Sequence, residues 1–108
     1  DLIALNILQG VQAFEAKYTD ATIAADAFTK FNKDSVSKYS FSNDRWVIGS
    51  NWRYTGGPPP SPAPFTRKDR FYVVKDPSGN TYKLKFLSFA TEDGGTRGKP
   101  EIKYELIK

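Results

Sequence analysis

The residues in this chain whose type and spacing could do chemistry are few, and the missing ones decide as much as the present ones. The 108 residues include no Cys, no His and no Met. Zinc sites of the usual kind, thiol nucleophiles, iron–sulfur clusters, Ser-His-Asp triads and imidazole acid–base catalysis are therefore excluded within these residues. Carboxylates, Tyr and Lys remain. The acidic pairs Asp20/Asp26 and Glu92/Asp93 have the composition of glycosidase carboxylates, but nothing around them signals a raised pKa, and solvated turns account for them better. Asp93 to Gly98 reads Asp-Gly-Gly-Thr-Arg-Gly and superficially suggests a phosphate-cradling loop. It lacks the Lys-Ser/Thr ending and the following helix of a P-loop, so that reading fails. With no supporting constellation, the expected role is binding rather than catalysis.

Charge points to an anionic partner. The chain carries a net +4, and residues 1–53 balance six basic against six acidic side chains, so the whole excess lies in residues 54–108. A basic half suits carboxylates, phosphates or a negative surface, although an alternation such as Tyr82-Lys-Leu-Lys-Phe86 is also what one wetted strand face looks like. Basic and aromatic residues interleave along 65–86, as on surfaces that stack bases. No signature of a nucleic-acid module accompanies them, and nucleic acid is not the expected partner. Trp46 and Trp52, six apart, would share one face of an extended segment, as core or as a stacking surface for a flat or sugar-like ligand.

The elements that must hold these residues are legible in part. The length fits one domain with one core. Asp20 is a suitable N-cap for a helix over 20–31, where Ile23, Ala24, Ala27, Phe28 and Phe31 recur at three or four residues. A weaker helical spacing covers 2–9. Arg45 to Tyr54 reads as extended with a bend at Gly49. Gly56 to Pro64 (Gly-Gly-Pro-Pro-Pro-Ser-Pro-Ala-Pro) is a polyproline-like projecting loop, because Pro offers no N–H for a ladder. Beyond it, Asp69–Lys75 and Thr81–Phe89 flank the turn Asp76-Pro-Ser-Gly-Asn80 and write a β-hairpin, with Glu101–Ile107 as a third strand. Tyr82, Leu84 and Phe86 share a face with Ile102, Tyr104 and Leu106, whereas Lys83, Lys85, Lys103 and Glu105 are expected to look outward. The fold class is α+β, mainly antiparallel β, with N-terminal helical segments, and the last strand is an edge that could pair with another chain.

Three segments carry a resemblance. Phe71 to Phe89 (Phe-Tyr-Val-Val-Lys-Asp-Pro-Ser-Gly-Asn-Thr-Tyr-Lys-Leu-Lys-Phe-Leu-Ser-Phe), the Gly95-Thr-Arg-Gly98 loop with Glu101-Ile-Lys-Tyr104, and Asp44 to Arg53 follow one another as in the HmuY-like haem-binding proteins of Bacteroidetes. The chain resembles the C-terminal half of that family most closely. The resemblance implies a hand-shaped, mostly-β domain whose finger-like loops close on one haem. It also implies a surface or secreted lipoprotein, exported and anchored through a lipid upstream of Asp1, that passes haem to an outer-membrane receptor. Family members hold the iron through His, some relatives through Met, and this chain has neither, so no family ligand carries over. Tyr is the remaining protein ligand for haem iron, and Tyr54 beside the Pro-rich loop is the candidate. Trp52, Tyr54 and Phe65 would then wall the porphyrin, and Arg53, Arg67 and Lys68 would meet its propionates. The alternative is an adhesion or carbohydrate-binding module built on Trp46 and Trp52.

Overall fold

A computed structural model describes residues 2–56, 58, 60–61, 64–90 and 97–108. Its centre is an antiparallel sheet in the order β1 (Gln12–Lys17), β4 (Arg70–Lys75), β5 (Thr81–Ala90), β6 (Arg97–Leu106). Between β1 and β4 the chain forms helices α1 (Ala21–Lys30) and α2 (Lys33–Val36), then the two-residue strands β2 (Arg53–Tyr54) and β3 (Phe65–Thr66), which pair with each other. The expected α+β, mainly antiparallel class is what the structure has.

The β4–β5 hairpin forms as its turn chemistry demands. Asp76 Oδ1 accepts from the Ser78 and Asn80 amides at 3.0 and 2.9 Å, and Gly79 takes φ +89°. Pairing Asp76 with Asn80 sets Val73 opposite Lys83 and Tyr72 opposite Leu84. On β6, Leu106, Tyr104 and Ile102 stand opposite Tyr82, Leu84 and Phe86, so the expected apolar stripe does lie on one face.

Both faces of this sheet are covered over its centre, and that overturns several expectations. One face carries Phe14, Ala16, Phe71 and Val73 and packs against Phe28 and Phe31 of the α1 region. The other carries Ala13, Tyr72 and Phe86 and packs against Leu5, Ile48 and Trp52. β1 is thus buried on both sides, which explains why Ala13 and Ala16 are fully buried small residues. Its composition, Gln-Ala-Phe-Glu-Ala-Lys, favours helix by propensity, and tertiary pairing with β4 overrides it.

The helix expected over 2–9 is not formed. Ile3 pairs with Gly49 through two backbone bonds of 3.0 Å, and the Leu5 amide donates to Arg45 O at 2.9 Å. Only Ile7–Gln9 make a single 3₁₀ turn. The decisive period is two: Leu5 is buried and Ile3 and Ile7 half-buried, while Leu2 and Leu8 are exposed. The helix expected at 20–31 is present as α1, capped by Asp20, whose carboxylate accepts from the Ile23 amide at 2.8 Å. Ala24 and Phe28 face the sheet, but Ile23 lies on the solvent side.

Arg45–Trp52 is a series of turns and bends rather than an extended run, and only Arg53–Tyr54 is strand. Gly49 there takes φ +49°, and a Cβ would come within 3.0 Å of Trp46 O. The two indoles consequently do not share a face: Trp52 is 0% exposed and Trp46 is 50% exposed. Lys83 does not look outward either. Its side chain reaches under α1, where Nζ donates to Phe28 O at 2.6 Å and Thr29 O at 3.3 Å.

Candidate functional site

The strands β2 and β3 are what bring most of the candidate residues together. Pairing Arg53 with Thr66 and Tyr54 with Phe65 places the last two rings 5.3 Å apart, tilted by 36°. The Arg67 amide donates to Trp52 O at 2.9 Å and extends the ladder by one bond. The Arg67 guanidinium lies 5.9 Å from both the Tyr54 and Phe65 ring centroids. Phe65 remains 38% exposed, Tyr54 is half-buried, and Arg67 and Lys68 form no salt bridge among the described residues. A cation poised over two accessible rings, with its charge uncompensated, is suited to a flat guest bearing negative groups.

Trp52 does not belong to that surface. It is fully buried and stacked on Phe86, with centroids 4.5 Å apart. Its role is to anchor the β2–β3 ladder to the main sheet, and it offers no wall to a guest. Arg53 lies beside it, its guanidinium 5.6 Å from the Trp52 centroid. Because Trp46 and Trp52 lie on different sides of their segment, the paired-indole platform for a sugar is not formed.

One hollow is lined by Phe65 and Arg67 of this cluster, and a second lies next to the first. The first, about 510 Å³, is lined by Phe65, Thr66, Arg67, Lys68, Asp69 and Ala21. The second, about 490 Å³, runs between α1 and the sheet with Ala24, Phe28 and Leu87 among its apolar walls and Lys68 and Lys85 among its cations. They share Ala21 and Lys68, so Lys68 stands between them. Each is of the size in which small ligands are held. Part of the Pro-rich loop and residues 91–96 of the Gly-rich loop lie outside the described residues, and so the reading of those loops as fingers lies outside them too.

The electrostatics of the second hollow were not legible as a site. Burial, and then the like charge of Lys103, lower the Lys85 pKa, while Glu105 opposes this. Lys85 Nζ lies 4.7 Å from the Phe28 ring centroid. Arg70 also lines this cleft, but its Nε is bonded to Asp69 Oδ1 at 2.8 Å and its guanidinium lies 3.6 Å from Glu15, so it is already committed. That pairing raises the Arg70 pKa and lowers that of Asp69. Tyr72 donates to Glu15 Oε2 at 3.0 Å; burial and that carboxylate push its phenol far above the ordinary value. The missed signal was the hairpin register, since Lys83 opposite Val73 must face the same layer as Phe71.

Sheet, backing helix and hollows lined by rings and cations define a class: an α+β, mainly antiparallel protein with basic, partly aromatic surface hollows. The family follows. A family model described as HmuY protein matches residues 5–104, and the chain belongs to the HmuY family. That family is associated with haem binding, is non-enzymatic, and its members are secreted or surface proteins. No curated protein and no solved structure gives a significant match. No helix among the described residues is long and apolar enough to cross a membrane.

The residues present fit a haem in part. Rings and cations match the porphyrin plane and its propionates. For the iron, a chain without His, Cys or Met offers the phenol of Tyr54 at this cluster. No group of three or more His, Cys, Asp or Glu able to hold a metal ion occurs among the described residues.

Proposed function

We propose that this chain is an exported, non-enzymatic haem- or tetrapyrrole-capturing protein that grips its ligand chiefly by ring contact and propionate pairing. The observation that carries the reading is the Arg67 guanidinium set over both Tyr54 and Phe65, beside a hollow that also offers Lys68. In this reading Phe65 and Tyr54 receive the macrocycle and Arg67, Lys68 and Arg53 meet the two carboxylates. Tyr54 is the candidate iron ligand in this reading. Anchoring through an upstream lipid and transfer of haem to an outer-membrane receptor complete the proposal, on the strength of family membership.

The test is a haem titration followed at the Soret band, run beside iron-free protoporphyrin followed by its fluorescence. The expected result is a saturable change with both molecules. Arg67→Ala and Lys68→Ala should each weaken binding by roughly fivefold, the scale of a solvent-screened ion pair. Tyr54→Phe should alter the haem spectrum and leave protoporphyrin affinity unchanged. A free-haem spectrum persisting at excess protein would remove the proposal. An unchanged spectrum in Tyr54→Phe would remove only the iron-ligand role.

A further inference from the structure

The two edges of the main sheet are treated differently. On β1, Ala13 exchanges backbone bonds with Ser42, at 3.1 and 2.8 Å, so the chain closes that edge at this point itself. On β6, no described residue pairs with the outer side. The open edge is also apolar: Ile102, Tyr104 and Leu106 are 47, 63 and 46% exposed. An uncovered strand with such side chains is a template for another strand.

We propose that β6 pairs antiparallel with β6 of a second copy of this chain, about a two-fold axis at Tyr104. The Ile107 amide donates to Thr81 O at 2.8 Å, so odd-numbered residues of β6 direct their backbone groups toward β5. The even-numbered residues 102, 104 and 106 direct theirs outward. Placing Tyr104 opposite Tyr104 of the second copy makes 102, 104 and 106 the hydrogen-bonded positions and joins the two sheets into one. Ile102 then faces Leu106 across the seam, and Lys103 faces Glu105, twice each by symmetry.

Charge selects this register among its neighbours. Sliding by two residues one way sets Lys103 against Lys103, and the other way sets Glu105 against Glu105, both like-charge pairs. Sliding further brings in Pro100, which has no N–H to give. Glu105 already lies 3.6 Å from Lys103 and 3.7 Å from Lys83 in its own chain, so this face holds more cations than carboxylates. The inference does not rest on the tetrapyrrole reading.

Sedimentation or light-scattering mass over a concentration series tests it. The expected result is a reversible rise from the 12.1 kDa monomer toward twice that mass. Lys103→Glu and Glu105→Lys should each raise the dissociation constant roughly tenfold or more, because two opposite-charge pairs become two like-charge pairs. Mixing the two variants should restore association, since each then presents the complement of the other. Circular dichroism checks that both variants are folded. A monomer at every concentration overturns the proposal. So does a dimer insensitive to either substitution, or a mixture that associates no better than its components.

Discussion

Lys83→Met is the substitution that weighs most directly how α1 is held to the sheet. In the wild type the ammonium lies 2.6 Å from Phe28 O, 3.3 Å from Thr29 O, 3.5 Å from Phe31 O and 3.7 Å from Glu105 Oε2. Phe31 is the C-cap of α1, so a cation sits where the last helical carbonyls converge and the helix dipole is negative. A charge-assisted bond of this kind contributes about 1.5–3 kcal/mol net. The two longer contacts add little, and the dipole term is at most about 2 kcal/mol. Against these stand the desolvation of the ammonium and the apolar burial that Met would gain. Replacing both partners of a buried polar contact by apolar groups can be neutral, but here the carbonyls stay. Phe28 O keeps only a 3.4 Å bond from the Phe31 amide.

The net expectation is a loss of about 2 kcal/mol, or a Tm lower by about 8–16 °C for a chain of this size. Lys103→Met is the control. Lys103 projects from the same face of β6 as Glu105, is 52% exposed, and forms an ion pair only with Glu105 among the described residues, so its loss should cost under about 1 kcal/mol. Urea unfolding with an unchanged m-value measures both, and amide exchange should quicken selectively in α1 of Lys83→Met. Equal losses for the two variants, or a gain for Lys83→Met, would refute the argument that the buried ammonium holds the helix end.

Three other outcomes follow from burial, backbone and charge. Trp52→Ala should destabilise by about 3–5 kcal/mol, the range for a buried aromatic, and Trp46→Ala by under about 0.5 kcal/mol; iodide should quench the Trp46 emission preferentially. Gly49→Ala should cost more than Gly79→Ala in thermal unfolding, because both take positive φ but only at Gly49 would the new Cβ meet a backbone oxygen at 3.0 Å. Asp69 has its folded pKa lowered first by its hydrogen bond to Arg70, so its stabilisation is complete above the ordinary carboxylate range and is lost as pH falls through the lowered value. Asp69→Asn should therefore flatten the stability profile below about pH 4, and an acid limb identical to wild type would remove Asp69 from it.

What was legible in the sequence follows from how local each signal is. The β4–β5 hairpin was readable because Asp76, Pro77 and Gly79 determine a turn within five residues and the register follows from it. The α1 cap was readable because Asp20 acts on an amide three positions away. β1 was not, since its partner β4 lies more than fifty residues on and its own composition favours helix. The rule that strands alternate core and water misled at Lys83, because it assumes one wet face and this sheet has none over its centre. At the candidate site, Tyr54, Phe65 and Arg67 could be grouped because they flank one loop, which the β2–β3 ladder closes. Trp52 sits one residue before Arg53, yet belongs to the core, a distinction that only packing against Phe86 makes.

The same packing bears on how the proposed site would hold a haem in a chain without imidazole or thioether. Trp52 fixes the ladder from below, so Tyr54 and Phe65 present their rings without having to be ordered by the guest, which lowers the entropic cost of binding. Under the proposed function, the chief contributions of the site are ring contact and propionate pairing, and neither depends on the metal, with the Tyr54 phenol adding a lesser one. Selectivity should then follow the shape and charge of the macrocycle. Esterifying the propionates should weaken binding more than removing the iron does, the reverse of what a site built on strong axial ligands would give.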